Sequence, residues 1–369
     1  MACLCGCLAF LNSDVLSLLG MYKAGDYLVR GGRMLRNRTF PRHRRISTLM
    51  IYATDLCDSR CKHCLIWAKR PVQHLPKETV YGLMENKCVT KHTKVGLEGG
   101  EFLLHPDSRE IMAWYRKHHP NFDLLSNCLK PDSLIEAVKA TPPVRLYISL
   151  DGTEETYNAM RGKDGYRSVL KVIETLESVV PISVMYCVSP WNSMDDLVHV
   201  AEVCTFHGID LRVGVYSDIR FFDTKDAAYQ QSSLGTIPES LKRFKENYDY
   251  LVLYDQWQEG KLVLPCKSIL DSVVVLPNGD VPICMHLEDK LGNVHQNSLD
   301  EILAKDATIA TLNDHHDNCN GCWINFHRKY DLILFKNLER FFPKALISKM
   351  FGYYQWTDDP RRRYKDLIR

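Results

Sequence analysis

Residues 47–64 read STLMIYATDLCDSRCKHC. The first eight, Ser47–Thr54, are rich in β-branched and aromatic residues and predict a strand. That strand runs straight into Cys57, Cys61 and Cys64, spaced C-x3-C-x2-C. Three thiolates on so short a loop can each take one iron of a cubane, which leaves the fourth iron without a protein ligand. A structural zinc site is the bland alternative. Zinc wants four closed ligands, commonly in C-x2-C pairs, and this triplet has no obvious local fourth. His63 stands between ligand positions and cannot readily turn inward with both neighbours.

Outward from this stretch, short apolar runs alternate with longer helical ones. Lys94–Glu98, Phe122–Asn127, Val144–Leu150, Ile182–Val188 and Asp210–Tyr216 predict five further strands. Lys77–Asn86, Ser108–His118, Pro131–Ala140, Thr153–Val179 and Ser193–His207 are among the helices predicted between them. Pro131 suits a first turn, and Thr153 followed by Glu154 and Glu155 suits an N-cap with acids near the positive helix end. This alternation implies an α/β fold with a parallel sheet and right-handed crossovers. Six repeats without a dinucleotide fingerprint fit a partial (β/α)6 TIM-like barrel as readily as a doubly wound sheet. Barrels carry their working residues on loops at the C-terminal ends of strands, where the cysteines stand, and this favours the barrel. The pattern changes after about residue 217. Residues 262–325 carry four cysteines, a Pro277–Gly279 turn between strand-like runs and the helical Leu299–Ala304, and predict a small α+β module. The expected organisation is an N-terminal extension (1–46), a barrel core (47–220), a linker or cover (221–261), the module (262–325) and a C-terminal helical extension (326–369).

Composition bounds the class. Of 369 residues 45% are apolar and 25% charged, ordinary for a folded globular chain, and the net charge of +2 argues against a nucleic-acid partner. Fourteen cysteines would suggest disulfides in a secreted chain, but nothing marks secretion. Met1–Gly20 is apolar yet lacks a cationic n-region and is interrupted by Asn12, Ser13 and Asp14. A reducing cytoplasm is the expected setting, where clustered cysteines usually bind metal.

The cysteine loop after the first strand, with a ring-bearing residue (His63) before its third cysteine, resembles the signature of the radical S-adenosylmethionine (radical SAM) superfamily. The resemblance covers residues about 47–325. It implies a [4Fe–4S] cluster on Cys57, Cys61 and Cys64, with S-adenosylmethionine bound to the open iron and cleaved reductively to a 5′-deoxyadenosyl radical. It places His63 near the adenine, and it implies a reducing partner of the flavodoxin or ferredoxin type. Gly99-Gly100-Glu101, after the second strand, resembles the family's Gly-Gly-Glu motif, which holds the methionine amino group. Glycines let backbone approach a ligand closely, and a carboxylate suits an ammonium. Ser149-Leu150-Asp151-Gly152 resembles the family's Ser-(Ile/Leu)-Asp-Gly segment. Ser149 would hydrogen-bond the cofactor, while Asp151 more often stabilises the turn. Arg161, within TYNAMRG (156–162), resembles an arginine facing the cofactor carboxylate, and is equally readable as a surface helix arginine. Asn127 resembles an asparagine lining such pockets, and is equally readable as a turn cap.

Cys266, Cys284, Cys319 and Cys322 form a second group, with Gly279 in the spacing C-x12-G-x4-C. The pattern resembles the shortened auxiliary-cluster module called Twitch, a truncated SPASM type, and implies one auxiliary [4Fe–4S] cluster. Four cysteines including a C-x2-C pair could also hold structural zinc. Among the remaining cysteines, Cys187 and Cys204 read as packing residues. Cys128 reads as core or loop, with a hydrogen-donor role as the sharper alternative, and Cys3, Cys5 and Cys7 as lipidated or disordered. Basic residues from Arg30 to Arg45, and a basic-aromatic stretch over Leu332–Trp356, allow peripheral contact with the cytoplasmic face of a membrane or packing over the barrel with basic faces in water.

These readings predict hydrogen abstraction from an unidentified substrate, with two-electron oxidation of a small alcohol or sugar-like metabolite in front. Modification of a lipid-like substrate is the close competitor and peptide maturation a weaker one. A non-catalytic iron–sulfur electron carrier or zinc-stabilised binding protein is the reading from a different class, but it has no need of a cofactor pocket.

Overall fold

The computed structural model describes residues 24–216, 234–287 and 289–367. Cys3, Cys5 and Cys7, read above as lipidated or disordered, lie outside the described residues. All six expected strands form: β1 (Thr48–Tyr52), β2 (Lys94–Glu98), β3 (Phe122–Ser126), β4 (Arg145–Ser149), β5 (Ile182–Val188) and β6 (Asp210–Val215). They pair side by side in chain order and all parallel. After a two-residue strand β7 (Leu262–Val263), a seventh parallel strand joins the sheet. This is β8 (Ser272–Val275), which lies against β1 with Thr48 opposite Ser272. The curled half-barrel thus has seven strands, the last drawn from the cysteine-rich C-terminal region. Across the Pro277–Gly279 turn Leu276 N–H donates to the Asp280 carbonyl at 2.9 Å, but the two flanking runs enter different sheets. The turn sends β8 into the barrel and β9 (Asp280–Pro282) into an antiparallel ladder with β10 (Lys290–Asn293).

Alternation along each strand divides the sheet into two faces. Leu49, Ile51, Val95, Leu97, Leu124, Leu146, Ile148, Val184, Leu211 and Val213 are buried in the main apolar core together with residues of the surrounding helices such as Ile111, Val172 and Leu197. The opposite set, including Met50, Lys94, Glu98, Asp123, Tyr147 and Arg212, lines a central cavity. Fully buried parallel strands normally read as unbroken apolar runs. Charged residues on these strands are therefore tolerated because the inner face borders a cavity.

Two helical expectations change. Thr153–Val179 is two helices, Glu154–Arg161 and Tyr166–Leu176, parted at Gly162, whose φ of 64° closes the first. A Cβ there would stand 2.8 Å from the Arg60 carbonyl oxygen, so the break lets the helix end dock on the cysteine loop. The long C-terminal helix (Asn325–Phe341) does not turn a basic face to water. Arg328, Lys329 and Lys336 are buried, and Lys336 is salt-bridged to Asp249. The helix packs on β6, and Phe326 reaches the apolar group formed by Tyr52, Ile66, Val274 and Met285, so it spans the open side of the half-barrel. The N-terminal arginines are likewise engaged: Arg30 pairs with Asp271 at 3.1 Å and Arg38 with Asp317 at 2.8 Å. Among the described residues no helix is long and apolar enough to cross a membrane.

Candidate active site

A cavity of about 380 Å³ opens at the C-terminal end of β1 and runs down inside the half-barrel. Its wall includes Cys57, Cys61, Cys64, His63, Gly99, Gly100, Glu101, Asn127, Ser149, Asp151 and Arg161, so every residue singled out for the first site meets in one place.

The glycine pair acts on the cysteine loop. Gly100 N–H donates to the Thr54 carbonyl at 2.7 Å and Glu101 N–H to that of Leu56 at 2.8 Å. A Cβ on Gly99 would lie 2.6 Å from the Thr54 oxygen, and one on Gly100 would lie 2.7 Å from the Leu56 carbonyl carbon and 2.9 Å from the Asp55 oxygen. The close approach expected between these glycines and a ligand is thus also an approach of two backbones, which fixes the loop. Glu101 follows at the strand mouth, where its carboxylate accepts from Ser126 Oγ (3.0 Å) and Asn127 N (2.7 Å). Burial pushes its pKa up to about 7. Asn127 donates through Nδ2 to Asp58 Oδ1 at 2.8 Å and lies 3.8 Å from Cys57 Sγ.

Arg161 is not a surface residue. It is buried and doubly hydrogen-bonded to Asp151 Oδ2, with Nε at 2.7 Å, and its Nη1 reaches within 3.5 Å of Cys61 Sγ. Asp151 is more than a turn stabiliser, since its second oxygen also accepts from Cys187 N at 2.9 Å. Arg60 N and Lys62 N donate to the Arg161 and Met160 carbonyls at 3.0 and 2.9 Å, tying the cysteine loop to this helix end. The His63 ring is held neutral, its pKa lowered to about 4 by burial and by Arg161, and its Nδ1 is buried without a hydrogen-bond partner.

This donor set fits a cationic iron cluster. Burial pushes the Cys64 thiol up to about 12 and Cys57 higher still, so ionised sulfur needs positive charge beside it. Cys61 already has Arg161 there. The orphaned His63 nitrogen and the buried Glu101 carboxylate suit the nucleobase and the ammonium of S-adenosylmethionine.

Cys266, Cys284, Cys319 and Cys322 neighbour one another in the fold. Cys266 N–H donates to the Cys319 carbonyl at 2.8 Å, and Cys284 and Cys266 each feel the charges of Cys319 and Cys322. Among the described residues no three His, Cys, Asp or Glu side chains converge tightly enough for a single metal ion. Met285, beside Cys284, lies in the same small apolar group as Tyr52, against which Cys57 and Cys64 pack.

Residues 51–204 match the Radical SAM superfamily, and residues 266–323 match SPASM, an iron–sulfur cluster-binding domain. The chain carries a radical SAM domain followed by a SPASM-type iron–sulfur domain. It is 26% identical over 159 residues to the sporulation killing factor maturation protein SkfB of Bacillus subtilis, covering 42% of this chain and 38% of that protein. It is 26% identical over 180 residues to GTP 3′,8-cyclase of Mycolicibacterium smegmatis, covering 46% and 50%. The chain thus spans about half or less of the length of the curated relatives it matches. In fold it is similar to Streptococcus suis SuiB bound to S-adenosylmethionine, with a TM-score of 0.58, 16% identity, and coverage of 80% of this chain and 75% of that one. A second similar fold is anSMEcpe with bound AdoMet and Cp18Cys peptide, with a TM-score of 0.51, 17% identity, and coverage of 82% and 98%.

The cofactors of this radical SAM protein are S-adenosylmethionine, a [4Fe–4S] cluster and an auxiliary cluster. Sequence reasoning missed the lower cavity wall, where Lys94, Glu98, Asp123, Arg212 and Lys329 face inward. The signal was available, because charged residues recur at alternate positions in strands that a parallel sheet should bury. Cys187, read as a packing residue, also lines the cavity, whereas Cys128 is buried outside it. Cys204 packs in the core as expected.

Proposed function

We propose that Cys57, Cys61 and Cys64 hold the radical SAM cluster, and that the enzyme removes a hydrogen atom from a small polar substrate during a two-electron oxidation. When bound, the cluster and S-adenosylmethionine supply a 5′-deoxyadenosyl radical that can take that hydrogen. Glu101 orients the cofactor's ammonium, Arg161 neutralises charge beside Cys61, and Ser149, Asn127 and His63 line the remainder of the cofactor's seat. Asp151 positions Arg161. Cys266, Cys284, Cys319 and Cys322 would hold the auxiliary cluster, which would accept the substrate's second electron, the first having left with the hydrogen atom. A flavodoxin- or ferredoxin-type donor supplies the separate electron that cleaves S-adenosylmethionine. The carrying observation is the single cavity that continues from the cysteine loop into a charged chamber of the half-barrel.

A second reading, maturation of a peptide, is favoured by the likeness to SkfB. The lipid-type reading loses part of its premise, because buried Arg328, Lys329 and Lys336 occupy the interior of the C-terminal helix packing. The test is anaerobic reconstitution with S-adenosylmethionine and dithionite. About eight irons per chain and release of 5′-deoxyadenosine are expected. A fully loaded protein that releases none would refute the proposal.

A further inference from the structure

The inner face of the lower half-barrel carries a belt of alternating charge. Lys94 pairs with Asp123 at 3.3 Å, and Arg145 reaches Asp210 at 3.9 Å. Asp210 takes Arg212 at 2.6 Å, and Arg212 reaches Glu246 at 3.7 Å. Lys329 closes the belt from the C-terminal helix, one of the positions with which that helix lines the cavity. Its Nζ donates to a neutral partner, Asn247 Oδ1, at 2.6 Å, and among the described residues it makes no ion pair. Among the described residues the belt's other cations, Lys94, Arg145 and Arg212, each have a carboxylate partner in Asp123, Asp210 or Glu246, and the remaining carboxylate of this wall, Glu98, is hydrogen-bonded to Tyr52.

Buried cations are normally paired, because a lone one carries a large desolvation cost. That cost shows here, since burial lowers the Lys329 pKa to about 7. Across the chamber, Asp123 Oδ1 is buried without a hydrogen-bond partner although it borders the cavity. The chamber thus presents one cation without a direct ion pair among the described residues and one unmet acceptor.

We propose that Lys329 anchors an anionic group of the substrate, a carboxylate or a phosphate, while Asp123 accepts from a hydroxyl or ammonium on the same molecule. The inference rests on the reading of this cavity as the substrate chamber, and it narrows the substrate to a small anion that also carries a donor. The anion completes the charge belt, and the cofactor end of the cavity then faces the far end of the molecule.

The test uses holoenzyme with both clusters and S-adenosylmethionine bound, without reductant, and reads binding by calorimetry. Lactate supplies the hydroxy-carboxylate arm and glycerol 3-phosphate the hydroxy-phosphate arm. Saturable binding of at least one is expected, and which one binds identifies the anion. Lys329→Met should weaken it about tenfold or more, the effect of removing a charged hydrogen bond. Lys329→Arg keeps the cation and should retain binding. The pH profile serves if Lys329→Met fails to fold. The groups facing Lys329 are Arg212, Asp210, Glu246 and Asp249. Lactate stays ionised near neutrality, so its binding to the native enzyme should weaken above pH about 7 as Lys329 loses its proton, and Lys329→Arg should abolish that dependence. Identical profiles for the two proteins, undiminished binding in Lys329→Met, or no binding of either probe would overturn the inference. If 5′-deoxyadenosine forms while any of these holds, the anion anchor fails and the proposed reaction class stands.

Discussion

Replacing Gly100 with alanine tests whether the glycine pair holds the cysteine loop in register. A Cβ at this position meets backbone atoms of Leu56 and Asp55, three of them nearer than 3.0 Å, a distance real Cβ atoms essentially never show. No flexible side chain is available to give way, so the segment leading into Cys57 must move by several tenths of an ångström. Overpacking of this kind costs about 1–3 kcal/mol. The larger effect falls on the site, because a misplacement of about 1 Å can cost on the order of a hundredfold in a positioned reaction. Iron content, S-adenosylmethionine affinity and 5′-deoxyadenosine formation are the measurements. We expect lower loading of the first cluster and a large loss of cleavage. Gly82→Ala is the control: its Cβ meets nothing within 4 Å, and it should be neutral or slightly stabilising. Full iron content and unchanged cofactor affinity in Gly100→Ala would refute the reasoning.

Asp151→Asn keeps a carbonyl for Cys187 N but leaves the buried Arg161 guanidinium uncompensated. Breaking such a pair costs about 3–5 kcal/mol, to be read from urea unfolding of the cluster-free chain. A loss under about 1 kcal/mol would contradict the buried pairing. Glu101 has its pKa raised to about 7 by burial, and it must ionise to hold an ammonium. Affinity for S-adenosylmethionine should therefore rise as pH increases from about 5.5 to about 7, by at most about tenfold per unit, and Glu101→Gln should flatten the profile. Equilibrium dialysis of the holoenzyme reads both. Cys322→Ala should lower iron from about eight to about four per chain while 5′-deoxyadenosine formation persists. Loss of both clusters together would instead show one interdependent centre.

The first site was readable because its parts are local. Three cysteines within eight residues, and glycines directly after a strand, announce themselves without any knowledge of the fold. Strand positions were readable for a similar reason, since apolar-rich runs of five to seven residues recur between helices with clear start signals. Arg161 was ambiguous because its partners, Asp151 and Cys61, lie ten and a hundred residues away. The chamber's lower wall was harder still. Lys329 reads as one cation among many in a basic-aromatic stretch, and only the packing of that helix against β6 gives it a place inside the barrel. The same limit applied to β8. Its Ser-Val-Val-Val sequence marks a strand but says nothing of which sheet receives it.

That last placement links the two cysteine groups. β8 lies between Cys266 and Cys284 in the chain, and its partner β1 ends five residues before Cys57. The pairing of Thr48 with Ser272 through Ile51 with Val275 therefore sets the separation of the two groups through sheet hydrogen bonds rather than through a flexible linker. Tyr52, Ile66, Val274 and Met285 pack together beside this strand pair, with Cys57 and Cys64 against them. In the proposed reaction, the electron bound for the auxiliary cluster passes between cysteine groups whose supporting elements this strand pair keeps in register.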